Sequence, residues 1–241
     1  MNKRVIGIVL FFALAAGSQY LFRHGGWNFY ERLDVSFPVI FLIAVFCLGG
    51  SVTLAAMISW VAVGRQGRKS SLTGRMPRTA PLMMLVLPVV VGAFGYANDF
   101  GMNKHLAGVV MGGLIALYAL FEEIAWRGYL NDALADWTLP IRSIVIGAMW
   151  FVWHFWFLDD GATLREMLIL AGILVALSAL FITIVEETRS WLSVAAFHAV
   201  GNIAFFAGSF SVPDKTRWMM AGTAFVILLV MHHTWKRRIA A

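Results

Sequence analysis

Apolar residues run along this chain in long blocks separated by short polar stretches. Eight blocks can be marked, at roughly 5–22, 36–63, 80–97, 105–130, 142–158, 165–185, 191–208 and 217–235. Most approach the ~20 residues that a helix needs to cross a hydrocarbon slab, so each is predicted to be a transmembrane helix. None alternates apolar and polar positions in the way of an outer-membrane barrel strand. The pattern predicts an all-α, polytopic membrane protein. The second block is long enough to tilt or to include an interfacial turn after Pro38. Pro77, Pro81 and Pro88 bracket or kink the third. Gly49-Gly50, Gly92 and Gly95, and Gly112-Gly113 mark expected close approaches between helices.

Composition agrees. Of 241 residues, 60% are hydrophobic and 13% are charged, where a soluble domain carries about 25% charged residues. The mean hydropathy is +0.77. The spans fill the length, so a single integral membrane domain over 1–241 is expected, with no separate soluble domain. One cysteine, Cys47, excludes an internal disulfide and a cysteine-based zinc site. It reads as a small buried hydrophobe. The net charge of +6 fits loops facing anionic lipid, and no nucleic-acid motif accompanies it. Lys3 and Arg4 ahead of an apolar run with Ala13, Ala15 and Ala16 have signal-peptide features. The continuation through Tyr20, Leu21 and Phe22 favours a retained span.

Basic residues set the expected orientation. With eight spans and a cytoplasmic N-terminus, Lys3, Arg4, Arg65, Arg68, Lys69, Arg75, Arg78, Arg127, Arg142, Arg189, Lys236, Arg237 and Arg238 fall inside. They are 13 of the 19 Lys and Arg; Arg23, Arg32, Lys104, Arg165, Lys215 and Arg217 fall outside. Both termini are therefore expected in the cytoplasm.

The fourth block ends in Phe121-Glu122-Glu123-Ile124-Ala125-Trp126-Arg127. A charge in hydrocarbon costs roughly 2.5–3.5 kcal/mol on insertion scales, so three together call for a reason. Glu123 and Arg127 stand i and i+4 and can pair. Glu122 points about 100° away, lacks that partner, and is the better candidate for a reactive carboxylate. The bland alternative is that all three snorkel to the interface. In the fifth block, Trp150-Phe151-Val152-Trp153-His154-Phe155-Trp156 sets one histidine among aromatics. In the seventh, His198 and Asn202 share a face, one turn apart. Each histidine could be a satisfied packing residue instead.

Depth links them. At about 1.5 Å per residue, Glu122 lies roughly 12 Å, His198 roughly 11 Å and His154 roughly 18 Å from the cytoplasmic ends of their helices. All fall in one middle band of the bilayer. A carboxylate can activate water and polar donors can stabilise an oxyanion, as amide hydrolysis requires. The same set could hold a divalent metal. Other polar residues read as structural. Glu186-Glu187 is expected in a cytoplasmic turn, Asp159-Asp160-Gly161 in a turn and Asp99 in a loop. His232 and His233 belong to a basic helix end, while His24 and His105 have no partner by spacing.

In this order, the residues resemble the CPBP family of intramembrane proteases, which includes the type II CAAX prenyl endopeptidases and bacterial proteins linked to bacteriocin processing and self-immunity. The family pattern is EExxxR, FxxxH and HxxxN/D. Glu122-Glu123-Ile124-Ala125-Trp126-Arg127 matches the first and His198-Ala199-Val200-Gly201-Asn202 the third. In the second, His154 is present but Trp150 replaces the phenylalanine. The likeness covers about 120–205, the family-like catalytic core.

The resemblance implies a conical cavity among helices four to seven, open to the cytoplasm or to lipid. It implies that Glu122 is the general base, polarising water with His154. His198 and Asn202 would stabilise the oxyanion, with Glu123, Arg127 and Trp150 in support. A zinc ion on Glu122, His154 and His198 is the alternative, leaving Glu123 as base. The implied substrate is a membrane-associated or lipidated peptide or protein tail, and the short loops suggest a bacterial inner membrane. A catalytically silent scaffold or immunity protein using the same groove is the competing reading. A proton-relay transporter would need broken spans in symmetric halves, which the pattern lacks.

Overall fold

The structure is a computed structural model that describes residues 2–26, 37–64, 69–98, 101–155, 158, 161–205 and 213–240. Asp99, Asp159, Asp160, Trp156, Arg32, Arg65 and Arg68 lie outside the described residues. Helix α1 spans Lys3–Leu21 and widens into a π turn at Phe22–Gly26. Helix α2 (Phe37–Ala44) continues through a π turn, Val45–Gly49, into α3 (Gly50–Val63). Helix α4 is Thr79–Phe94. Helix α5 (Lys104–Glu123) runs through a longer π segment, Ile124–Leu130, into a last turn, α6 (Asn131–Ala133). Then follow α7 (Leu139–His154), α8 (Leu164–Thr188), α9 (Trp191–Phe205) and α10 (Asp214–Ala240).

Each apolar block holds one helical stretch, and the described residues contain no strand beyond one isolated bridge, Ser71 to Ser190. Lys3–Leu21, Val39–Val63, Lys104–Ala133, Leu164–Thr188 and Asp214–Ile239 are long and apolar enough to cross a membrane. Thr79–Phe94, Leu139–His154 and Trp191–Ala204 are shorter apolar helices. This is an all-α, multi-pass membrane protein.

Local chemistry explains several ends. Asn2 caps α1 by accepting from the Arg4 N–H at 3.0 Å, and Asn103 caps α5 by accepting from His105 N–H at 2.9 Å. Thr163 and Glu166 form a capping box that starts α8. Arg189, at φ 55°, ends it. The second block turns at Val45–Gly49 rather than after Pro38, since the chain is helical from Phe37 onward. Helix α8 outruns its predicted end and takes in Glu186 and Glu187. Their carboxylates leave the helix for partners: Glu186 pairs with Arg142 at 2.5 Å, and Glu187 with His232 at 3.0 Å and Lys236 at 2.9 Å. The acidic pair is thus a helix-end anchor and not a turn. His105 also has a partner beyond the reach of sequence spacing, since its Nδ1 lies 2.8 Å from the Gly92 carbonyl.

Packing follows the small residues. Helices α4 and α5 run side by side, with Gly108 on Val91 and Gly112 on Pro88. A Cβ at Gly112 would stand 2.7 Å from the Pro88 Cα, whereas nothing lies within 4 Å of one at Gly113. Gly112→Val is therefore expected to destabilise by about 1–3 kcal/mol through overpacking. Gly113→Ala should leave thermal unfolding in detergent unchanged. Equal unfolding temperatures for the two variants would show that this helix contact is loose. Helix α7 lies along α8 with Gly147 against Val175. Helix α9 touches α4, α5, α8 and α10 and is buried nearly all round. An apolar helix with no polar face is expected at a core position, and this one carries His198 and Asn202 inside with it.

The turn between α8 and α9 is held by the segment before α4. Ser71 N–H donates to the Arg189 carbonyl at 2.9 Å, Arg75 N–H to the Thr188 carbonyl at 2.7 Å, and Trp191 N–H to the Ser71 carbonyl at 3.0 Å. Asp132 accepts from the N–H groups of Lys69 and Ser70 and from the Ser70 hydroxyl. At the start of α1, Arg4 donates to the Ala133 carbonyl and pairs with Asp136 at 2.7 Å. The hydrogen bond and charge of Arg4 hold the exposed Asp136 carboxyl below its ordinary range.

Candidate functional site

The fourth block delivers Glu122 and Glu123 as the last residues of α5, just where the helix widens into the π segment. A π turn inserts an extra residue and re-aims the side chains around it; such turns often occur at functional sites. Thr53 of α3 donates to the Phe121 carbonyl at 2.5 Å and fixes this junction from outside. Everything from Ala125 to Leu130 is buried. Glu122 is 1% exposed, and Glu123 and Arg127 are 0% exposed. The three charges therefore sit inside the protein and do not snorkel.

Glu123 and Arg127 form the ion pair expected from their spacing, with Nη1 donating to Oε1 at 3.0 Å. Arg127 Nη2 also donates to the Ser178 hydroxyl at 3.5 Å. Its guanidinium carbon lies 4.4 Å from the Trp150 ring centroid and 4.9 Å from that of Phe181. Two aromatic faces thus stabilise a cation that has lost its water. The same Glu123 oxygen meets His198 Nδ1 at 2.7 Å.

Glu122 has a partner that helical spacing could not show. The Trp150 indole N–H donates to its Oε2 at 2.8 Å, from α7. Tyr118, one turn before Glu122 on the same face, also reaches the carboxylate. Trp150, expected only as a lining aromatic, is therefore a hydrogen-bond donor in the site.

His154 ends α7, and its Nδ1 lies 2.9 Å from the Trp150 carbonyl. A carbonyl oxygen only accepts, so Nδ1 carries the hydrogen and Nε2 is the basic nitrogen of the neutral ring. The same logic applies to His198. The Glu123 carboxylate, paired with Arg127, accepts from Nδ1–H and leaves the lone pair on Nε2. Trp150 stands between the histidines, with ring centroids 5.4 Å from His154 and 5.2 Å from His198. Asn202, buried at 7% exposure, lies one turn beyond His198 on α9.

The structure thus brings Glu122, Glu123, Arg127, Trp150, His154 and His198 into one cluster between the fourth, fifth and seventh blocks. Three members were not anticipated: Phe181 and Ser178 from the sixth block, and Tyr118. Signals for two of them were present. Ser178 is the lone hydroxyl between Glu166 and Thr183, and Tyr118 precedes Glu122 by four residues. Nothing marks Phe181 among so many apolar neighbours.

Among the described residues, no three His, Cys, Asp or Glu side chains are grouped so as to hold a metal ion. Glu122, His154 and His198 are each engaged separately, on an indole, a backbone carbonyl and a carboxylate.

Comparison with known proteins bears on the same region. Residues 103–204 match the family model described as type II CAAX prenyl endopeptidase Rce1-like. The matched part, less than half of the chain, contains all three motifs. A CAAX prenyl protease 2 of Methanococcus maripaludis is 30% identical over 32% of this chain and 34% of its own length. The chain thus spans about a third of that curated relative. No solved structure matches.

Proposed function

We propose that this chain, Rce1-like over 103–204, is an intramembrane endopeptidase. It hydrolyses a peptide bond in a membrane-associated or lipidated peptide or protein tail, with 120–205 as the catalytic core of a single membrane domain. The observation that carries this reading is the convergence, away from water, of a carboxylate and two histidines whose basic nitrogens are set by their partners.

Glu122 and the His154 Nε2 bind a water between them, and Glu122 takes its proton as the oxygen attacks the scissile carbonyl. The carbonyl π pair moves to oxygen and gives a tetrahedral oxyanion. Asn202 offers amide N–H donors to that oxygen. His198, whose ring is held by Glu123 at 2.7 Å, stands one turn from Asn202 on the same helix. The C–N bond then breaks and the proton held on Glu122 passes to the leaving nitrogen. No step needs a group beyond these side chains and water. Both termini are assigned to the cytoplasm from the basic-residue bias, and the short loops favour a bacterial inner membrane.

The test uses purified protein in liposomes with a library of hydrophobic and lipidated peptides, analysed by mass spectrometry, beside Glu122→Ala. New termini that appear only with the wild type are the expected result, with turnover surviving exhaustive chelation. Identical behaviour of the two proteins in every assay would leave a scaffold or immunity role in place of the protease. Loss of turnover on chelation, restored by zinc, would replace the water-only mechanism by a metal-assisted one.

A further inference from the structure

One side chain touches every charged or titratable group of the cluster except Glu123 and Tyr118. Trp150 is 1% exposed. Its indole N–H donates to Glu122 Oε2 at 2.8 Å, and its ring centroid lies 4.4 Å from the Arg127 guanidinium carbon above it. The rings of His154 and His198 meet it edge to face, at interplanar angles of 70° and 83°. Phe181 lies 6.2 Å from it between centroids and shares the Arg127 guanidinium with it. A phenyl ring here could supply the aromatic face under Arg127. It could not supply the N–H.

That difference has a chemical consequence. Glu122 ends α5 beside a second carboxylate, and a glutamate side chain has three rotatable bonds with which to turn from its target. A hydrogen bond to an ionised acceptor is among the stronger ones available. With Oε2 held by the indole, the carboxylate plane is fixed and Oε1 is the oxygen that takes the proton of the attacking water. The same indole is braced by the cation on its face, so the reacting carboxylate and the Glu123–Arg127 pair are held in one frame.

We infer that Trp150 is a positioning residue of this site, orienting Glu122 through its indole N–H while its ring face seats Arg127. The inference rests on the protease reading and adds to it a residue at which this chain departs from the family pattern.

The contact and its effect are tested separately. Protein labelled with [15N-indole]tryptophan is compared by NMR in the wild type, Glu122→Gln and Trp150→Phe forms. The signal lost in Trp150→Phe should lie downfield in the wild type and move upfield in Glu122→Gln, where its acceptor is no longer ionised. A Trp150 signal indifferent to Glu122→Gln overturns the proposal without any activity measurement. Trp150→Phe keeps the ring face, and its unfolding temperature establishes that it folds. In the peptide assay its kcat should fall ~10–100-fold, the scale of a small misplacement of a reacting group, while KM stays within about twofold. Unchanged kcat beside an active wild type overturns the positioning role and leaves the protease reading intact. A wild type that cleaves nothing removes the protease reading, and the positioning role with it.

Discussion

Arg127→Ala should unfold far more readily than the wild type, by about 3–5 kcal/mol, the scale of breaking one side of a buried ion pair. The guanidinium is 0% exposed and sits between Glu123, the Ser178 hydroxyl and the faces of Trp150 and Phe181. Removing it leaves the Glu123 carboxylate inside the protein with His198 as its remaining hydrogen-bond partner among the described residues, and opens a space between two aromatic rings. The loss should be largely recovered in the double variant Glu123→Gln with Arg127→Met, which buries an amide and a thioether in place of two ions. Equilibrium unfolding in mixed micelles measures both. A single variant as stable as the wild type would mean that the pair holds nothing together.

Glu122→Gln is expected to do the reverse. Its kcat for peptide cleavage should fall ~10²–10⁴-fold, the usual contribution of a general base, with little change in KM or in unfolding temperature. The amide oxygen still accepts the Trp150 N–H, so the fold keeps its contact, but the amide cannot take a proton from water. A parallel fall in stability would recast Glu122 as a structural residue. Read together, the two variants separate neighbouring members of one motif: one group that holds the site and one that reacts in it.

The helices were legible because apolar length is a strong signal in a membrane chain. All eight blocks contain a helical stretch, with boundaries shifted where polar residues found partners inside the protein. Glu186 and Glu187 read as turn residues because a pair of acids at a block edge resembles a loop; Arg142, His232 and Lys236 satisfy them from other helices. Within the site, spacing disclosed the Glu123–Arg127 pair because both lie on one helix. Matching depth was enough to place Glu122, His154 and His198 together. Spacing could not disclose the indole that holds Glu122 or the carboxylate that holds His198. Those contacts depend on how α5, α7 and α9 rotate against one another, and a one-dimensional pattern carries no such angle. Phe181 was hidden for the same reason, since a ring facing an arginine and a ring facing lipid look alike in an apolar run.

Helix α7 has a further consequence. Its 16 residues rise about 24 Å at 1.5 Å each, short of the ~30 Å of hydrocarbon in an ordinary bilayer. Helix α9, with 15 residues, is shorter still. A helix too short for its slab draws the two leaflets together around it. Thinning of this kind would bring the headgroup layer and its water toward the end of α7, where His154 stands. For the proposed hydrolysis, the length of α7 is then a way of supplying the second reactant, and bilayers of increasing thickness should slow cleavage.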